Sequence, residues 1–409
     1  MNKTLLNSVS VGERISVIDA LRGFALLGIV LVHVVEQYLG AAPPESKQMF
    51  SIHHPVDIGV EVFLGIFFRG KFFTIFSLLF GLSFFIQMDR GSKKGVDFKG
   101  RFIWRLVILF VIGYVHGLFY RGDILTVYAI LGIFLVLFYA LNDKMLLIAA
   151  FILVAGIPRV LVFVGQNYWG LPPAELGHKQ ENQKNAEYFE IISSGSLVEV
   201  FEVNAVSGFN SKMGFQFGMM GRGYQTFVLF LIGLLLGRMR FFEHFTTYNK
   251  LMKRVLIYAL IVMLVSIVGL VITFIGMEAG KQPDFNTWRF VIGFTLIDWL
   301  NLAMTATIIT GFLLLYQKGF WHRMLSSLAP YGQTALTNYF MQSIIGTFFL
   351  YGFGLGFLGY FGSSVMFLLG LVLFFGQLWV SRYWLKHFKY GPLEWLWRSA
   401  TYLKWQALR

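Results

Sequence analysis

The chain has 409 residues, of which 56% are hydrophobic and 13% charged, with a formal net charge of +13 and no cysteine. A soluble domain usually carries about 25% charged residues, so this composition excludes an ordinary soluble enzyme. The absence of cysteine excludes disulfides, thiolate metal sites and cysteine nucleophiles. The positive excess is assigned to cytoplasmic loops by the positive-inside rule rather than to a nucleic-acid footprint, which makes the lipid bilayer the first expected partner.

Apolar runs near twenty residues match the length that crosses about 30 Å of hydrocarbon. They predict an all-α, polytopic integral membrane protein of about ten transmembrane helices, forming one transmembrane domain over 1–409 of a multi-pass plasma-membrane protein. The spans fall near 17–38, 71–88, 102–119, 124–141, 145–165, 225–239, 252–276, 289–316, 331–351 and 361–385. Met1 to Ala42 has the outline of a signal peptide, but its apolar run is long and carries Asp19, Arg22 and His33, which argues against cleavage.

Those three residues are the most informative feature of the first span. A charge deep in a bilayer costs about 2.5–3.5 kcal/mol, so such residues mark a polar path or site unless they neutralise each other. At 100° per residue, Arg22 and His33 lie about 20° apart around the helix and roughly 16 Å apart along it, with Asp19 within about 60° of both. One stripe therefore carries all three and must face protein or water. Asp19 and Arg22 also suit a plain ion pair at the cytoplasmic end, whereas His33 lies deeper, near Glu36 and Gln37. A neutral imidazole is a general base near pH 7.

Residues 58–68 are apolar but too short to span and suit an interfacial or re-entrant segment. His53, His54, Asp57 and Glu61 are the nearest approach to a metal site. Pro55 interrupts the helix that would align them, so no metal is expected. Arg69 and Lys71 flank Gly70 and are candidate partners of Glu61. The connection 89–105 holds Arg90, Lys93, Lys94, Lys99, Arg101 and Arg105 and reads as cytoplasmic. So does 238–254, and alternation from these anchors places both termini in the cytoplasm. The third span ends in His116-Gly117-Leu118-Phe119-Tyr120-Arg121-Gly122-Asp123, where Asp123 stands ready to cap the next helix. Arg105 precedes His116 by eleven residues, repeating the Arg22-to-His33 interval. Residues 166–224, rich in glutamate, read as an extracytoplasmic segment that serves as a lid or recruits a partner. The tail, 386–409, mixes Trp395, Trp397 and Trp405 with Arg398 and Lys404 and suits a cytoplasmic interfacial helix.

Asp19-Ala20-Leu21-Arg22-Gly23-Phe24 followed by His33 resembles the opening signature of the membrane acyltransferase-3 family. More of the chain resembles the YeiB-like membrane proteins, the family of the domain of unknown function 418. The matching stretches are Arg22 to Ile29, Gly70 to Gly81, His116-Gly117 with Gly122 to Leu125, Leu336-Thr337-Asn338-Tyr339 with Gln342-Ser343, and Tyr390 to Trp395 with Trp397-Arg398. That family is grouped with the acyltransferase-3 and heparan glucosaminide acetyltransferase proteins. The resemblance implies transfer of an acyl group from cytoplasmic acyl-CoA, with acetyl-CoA as the simplest donor, to a small-molecule acceptor on the other side. The acceptor would be a sugar hydroxyl or an amine. It further implies His33, His116 and Asp19 as catalytic candidates and Arg22, Arg101 and Arg105 as the grip on CoA phosphates. Asp123, Arg121, Glu61, Lys71, Asn338 and Gln342 would contact substrate. Many YeiB-like sequences carry Asn at the His33 position, which makes His116 its rival as the base. The competing reading is a transporter or lipid-handling permease without covalent chemistry, since buried Asp, Arg and His equally suit proton coupling. Homo-oligomers are compatible with either.

Overall fold

The computed structural model describes residues 15–40, 54–95, 97–171, 178–218, 221–275 and 287–409, and no strand occurs among them. The helices, in chain order, are α1 (Ser16–Val35), α2 (Pro55–Phe67), α3 (Phe72–Lys93), α4 (Lys99–Phe119), α5 (Leu125–Phe138) and α6 (Asp143–Val154). Then follow α7 (Ile157–Tyr168), α8 (His178–Ser194), α9 (Leu197–Val203), α10 (Phe209–Phe217), α11 (Arg222–Arg238) and α12 (Asn249–Phe274). The chain continues with α13 (Trp288–Tyr316), α14 (Gly319–Ser326), α15 (Ala329–Gln333), α16 (Ala335–Leu350), α17 (Ser363–His387) and α18 (Pro392–Tyr402).

Six segments are long and apolar enough to cross a membrane: α1, α2 with α3, α4, α12, α13 and α17. Counting each of two bent pairs as one span, α6 with α7 and α9–α10 with α11, brings the number to eight. These helices argue for a multi-pass membrane protein, but the count falls short of the ten expected. The reasons are local. The expected span 124–141 is the 14-residue α5. Its start is fixed by Asp123, whose carboxylate accepts the Leu125 and Thr126 backbone N–H groups at 3.1 and 3.0 Å. The expected span 145–165 breaks between α6 and α7, which meet at 49°. Gly156 takes φ +75° there, and Pro158 follows in the first turn of α7, where its missing N–H costs nothing. The expected span 331–351 is divided between α15 and the 16-residue α16.

α1 lies at the centre, packed by α3, α15, α16 and α17. Helices approach most closely where glycine replaces a side chain. A Cβ on Gly81 of α3 would stand 2.1 Å from the Phe230 carbonyl oxygen of α11, and one on Gly233 would stand 2.1 Å from that of Leu78. The two backbones touch, which is how membrane helices gain packing that the hydrophobic effect does not supply. At the other extreme, α12 rests on α13 and turns an apolar face outward, with Leu264 64% and Ile272 67% exposed. Such a face suits lipid rather than water. The 13-residue α2 is likewise half exposed along Val56, Ile58, Val62 and Phe63, so the short apolar segment is helical but does not span. Its Asp57 accepts the Ser364 backbone N–H at 2.8 Å, and Glu61 accepts the Ser363 hydroxyl at 2.5 Å, which ties α2 to the start of α17.

The C-terminal helix is fastened inward rather than lying free. Trp397 Nε1 donates to the Arg105 carbonyl at 3.0 Å, and Trp104 Nε1 donates to that of Ala400 at 3.1 Å. Glu394 accepts the Leu336 N–H at 2.6 Å and the Thr337 hydroxyl at 2.6 Å, and so caps α16 from outside it. Burial pushes the Glu394 carboxyl above its ordinary range, against the pull of these donors.

Candidate functional site

The polar stripe of α1 has two ends with different surroundings. At the first, Asp19 is 3% exposed and accepts from Arg22 Nη1 at 2.8 Å, while Arg22 Nη2 reaches the Ser83 hydroxyl on α3 at 3.2 Å. An ion pair one helical turn apart, anchored to a neighbouring helix, neutralises both charges. His33 stands fourteen residues further on, about 21 Å by helix rise, so Asp19 and the histidines occupy separate places.

His33 meets His116 through shared rings. Its imidazole lies 5.2 Å from the Tyr120 ring and 6.2 Å from that of Tyr339, edge-on to both. His116 lies 4.9 Å from Tyr339 and 6.4 Å from Tyr120. Four elements converge here: α1, the end of α4, the turn before α5, and α16.

His116 is fully buried, and its Nδ1 is 2.9 Å from Asp123 Oδ1. The carboxylate also accepts two backbone N–H groups, the Thr126 hydroxyl at 2.8 Å, and Lys212 Nζ at 3.5 Å from α10. Four other donors already serve this carboxylate, so His116 Nδ1 is placed to donate to it, and Nε2 is the ring nitrogen turned away from the pair. That Nε2 has no hydrogen-bond partner among the described residues. The chain turns back on itself at Gly122, which brings α4 and α5 side by side and sets Asp123 against a histidine seven residues earlier.

Other buried polar atoms nearby are also unpaired. His33 Nδ1, the Tyr38 hydroxyl and both ends of the Gln342 carboxamide lack protein partners, although Tyr38 and Gln342 are fully buried. Gln342 stands one turn after Tyr339 and one turn before Gly346, whose absent Cβ would lie 2.1 Å from the Tyr38 ring. It therefore lies on the α16 face that meets α1. Leaving a buried donor or acceptor unpaired costs about 1–3 kcal/mol each, and more than 90% of such groups in folded proteins are paired. Their concentration around two histidines singles out this place.

A charged belt borders it. Arg69 donates from Nε to Glu36 at 2.8 Å and from Nη2 to Glu61 at 2.7 Å. Arg69 is thus the cation that Glu61 holds. Lys71 instead donates to the Gly65 carbonyl at 2.9 Å and is 6% exposed.

The remaining sequence candidates lie elsewhere. Arg101 and Arg105 stack on Tyr402 and Trp397 of α18, at 5.2 and 3.5 Å, while Arg22 sits between α1 and α3, so the three arginines do not form one grip. Arg121 covers the Tyr188 ring at 3.9 Å and donates to Asn185 at 3.1 Å, which ties the turn to α8. Asn338 donates to Thr334 at 2.8 Å and to Ser381 at 2.9 Å, clasping α16 to α17 one turn before Gln342. His54 caps α2 by accepting the Val56 N–H at 3.3 Å, and His53 lies outside the described residues. Among the described residues, no three His, Asp or Glu side chains gather as metal ligands.

The sequence reading missed Lys212, Arg222, Tyr38, Tyr120 and Tyr339. Lys212 and Arg222 belong to the 166–224 segment, which packs on α4 through Asn204 donating to the Leu118 carbonyl at 2.9 Å. The visible signal was a pair of isolated cations in the otherwise uncharged stretch from Phe209 to Tyr224.

Comparison with known proteins supports the resemblance carried by the motifs. Residues 236–404 match the family model described as "Protein of unknown function (DUF418)". The chain is 30% identical to the uncharacterized protein YxaH of Bacillus subtilis (strain 168), over 97% of this chain and 96% of that protein. It is 28% identical to the "Uncharacterized 39.9 kDa protein in amylase 3'region" of Bacillus acidopullulyticus, over 97% of this chain and 96% of that protein. Identity to the uncharacterized protein YeiB of Escherichia coli (strain K12) is 25%, over 95% of this chain and 96% of that protein. None of these descriptions names a reaction. The likeness runs through the α1, α4–α5 and α16 segments that build the site as well as through the matched C-terminal part, and on it the chain belongs to the YeiB-like DUF418 family.

Proposed function

We propose that the protein is a membrane acyltransferase in which His116, oriented by Asp123, is the general base. The observation that supports this most is the buried Asp123–His116 pair, with His116 Nε2 unpaired beside a second histidine. In the reaction, an acceptor hydroxyl or amine attacks the thioester carbonyl of acyl-CoA while its proton passes to His116 Nε2. The tetrahedral intermediate expels the CoA thiolate, which takes that proton back. Asp123 holds the ring by Nδ1 and stabilises the imidazolium that forms transiently. Gln342 Nε2 and the Tyr38 hydroxyl are donors without protein acceptors, suited to the developing oxyanion or to the acceptor's other hydroxyls.

In the arrangement we favour, α5 and α16 join the eight candidate spans to make ten crossings of the plasma membrane. Both termini and the Asp19 end of α1 are cytoplasmic, by the charge asymmetry of the loops. The donor then approaches from the Asp19 end and the acceptor from the His33 end. Arg22 is the one predicted CoA contact on the α1 stripe itself. A transport reading is favoured by a different observation, the half-exposed belt of Glu36, Arg69 and Glu61 beside the histidines.

The deciding experiment measures CoA thiol release from acetyl-CoA by the detergent-purified full chain, with glucosamine as acceptor. Turnover that is lost in His116→Ala supports acyl transfer. Activity that survives in the His33→Ala, His116→Ala double variant excludes the mechanism. A folded wild type that neither binds nor turns over any acyl-CoA leaves transport as the better reading.

A further inference from the structure

Among the described residues, Arg222 is a cation without a counter-charge in salt-bridge contact. It opens α11, with its guanidinium over the Phe73 ring at 4.5 Å and the Phe215 ring at 5.4 Å, and no carboxylate lies within salt-bridge distance among the described residues. The acids close enough to act on it are Glu36 and Asp298. Each already pairs with another arginine: Glu36 with Arg69 at 2.8 Å, and Asp298 with Arg159 at 2.7 Å.

Lys71 repeats the pattern two residues before Phe73. Its ammonium is buried and has one protein partner, the Gly65 carbonyl, where it has donors for three. Arg222 rests on Phe73, two residues after Lys71, and Arg69, two residues before Lys71, holds Glu36 of the α1 end, so these groups gather around the start of α3. Around that region three cations, Arg69, Lys71 and Arg222, face two carboxylates, Glu36 and Glu61, and both carboxylates are taken by Arg69. Burying a charge without a partner costs several kcal/mol. Lys71 is such a charge, and together with the partly buried Arg222 and the unpaired polar atoms on α1 and α16 it points to a missing anion.

We infer that Arg222 and Lys71 form a subsite for a compact oxyanion, a phosphate or carboxylate group, carried by the ligand that enters at the His33 end of α1. The guanidinium fork suits two oxygens of one group, and the lysine supplies a point charge from α3. Phe73 and Phe215 accept no hydrogen bonds along the guanidinium edge, so their ring contacts do not compete with an anion for its N–H groups. The anion belongs either to a soluble small molecule or to a lipid headgroup reaching the helix ends. That the oxyanion anchors the acyl acceptor rests on the acyl-transfer proposal. That it binds does not, and its test involves no turnover.

The experiment follows the thermal midpoint of the detergent-purified full chain during titration with inorganic phosphate, acetate, or phosphatidylglycerol in neutral-lipid micelles, at constant ionic strength. Wild type is expected to show a saturable rise with at least one probe, and the half-saturating concentration should increase at least tenfold in Arg222→Gln and in Lys71→Met. Without any anion, Arg222→Gln should melt no lower than wild type, because it removes an uncompensated charge. A purely structural arginine predicts the reverse. Saturation by phosphate or acetate identifies a soluble ligand, and saturation by phosphatidylglycerol alone identifies a lipid headgroup. A rise of equal size and midpoint in both variants, or no saturable rise with any probe, overturns the inference. Should Arg222→Gln fail to fold, Lys71→Met decides by the same criterion.

Discussion

The two ends of α1 carry polar residues on one stripe yet differ in how those residues are satisfied. At the Asp19 end the carboxylate, the guanidinium and the Ser83 hydroxyl complete one another within 3.2 Å. At the His33 end, among the described residues, Tyr38, His116 and Gln342 keep buried polar atoms without protein partners, and Arg222 and Lys71 keep charges without counter-charges. A charged residue in an apolar span is therefore weak evidence of a site by itself. What distinguishes a site is the surplus left once partners have been assigned.

The largest expected effect tests the unsatisfied end. His116→Ala should lower turnover roughly 10²–10⁴-fold, the range that a positioned general base supplies, while the fold survives, because Asp123 keeps four other donors. Steady-state thiol release together with a thermal melt separates the two effects. Asp123→Asn should lose both activity and stability, since it disturbs the α5 cap and strands Lys212. An Asp123→Asn variant as active as wild type would remove His116 from the mechanism.

At the satisfied end the expected effect is on stability. Asp19→Ala leaves Arg22 one-fifth exposed and without its carboxylate, at a cost of about 2–4 kcal/mol, somewhat below the figure for a fully buried pair. The double change Asp19→Leu, Arg22→Met removes both charges and should recover most of that loss. Denaturant melts of wild type, Asp19→Leu, Arg22→Met and the double variant form a double-mutant cycle. A cycle with no coupling would mean that the ion pair is not what holds this end. Gln342→Leu makes the contrast sharpest: deleting an unsatisfied amide from the core should raise stability by about 1 kcal/mol while lowering function. A clear fall in the thermal midpoint would show that Gln342 has partners after all.

Much of this architecture is legible in the sequence because apolar runs and helix breakers act locally. α1, α4 and α13 start and stop close to where their patterns place them, and Gly156-Ile157-Pro158 marks the break that divides 145–165. The pairing of His116 with Asp123 was within reach, since both residues flank one turn. What local pattern does not carry is which distant helices meet. The resemblance implies Arg101 and Arg105 as part of a cytoplasmic phosphate grip, yet they stack on phenol and indole rings nearly three hundred residues away. Lys212 and Arg222 lie in a segment read as a lid, and only the fold sets them beside Asp123 and Phe73.

An effect on stability alone, of similar small size, concerns how the unsatisfied end is held in place. Gln342 and Tyr339 ride on α16, and the N-terminus of α16 is capped by Glu394 of α18, which Trp397 fastens to α4. One strap thus fixes the two helices that carry His116 and Gln342. Glu394→Ala should cost about 1–2 kcal/mol, as loss of a helix cap does, and Glu394→Gln less, because one oxygen remains to accept. The pH dependence separates the carboxyl's charge from its role as acceptor. Burial raises the folded-state pKa of Glu394 above its ordinary 4.5, so the folded protein holds that proton more tightly than the unfolded chain. Its stabilising contribution is then full below about 4.5 and is lost as pH rises through the higher folded value. The difference in melting temperature between wild type and Glu394→Gln should shift in favour of wild type as pH falls through that window. A difference that stays constant with pH would mean that the carboxyl remains ionised throughout, with the α16 N-terminus rather than burial setting its charge.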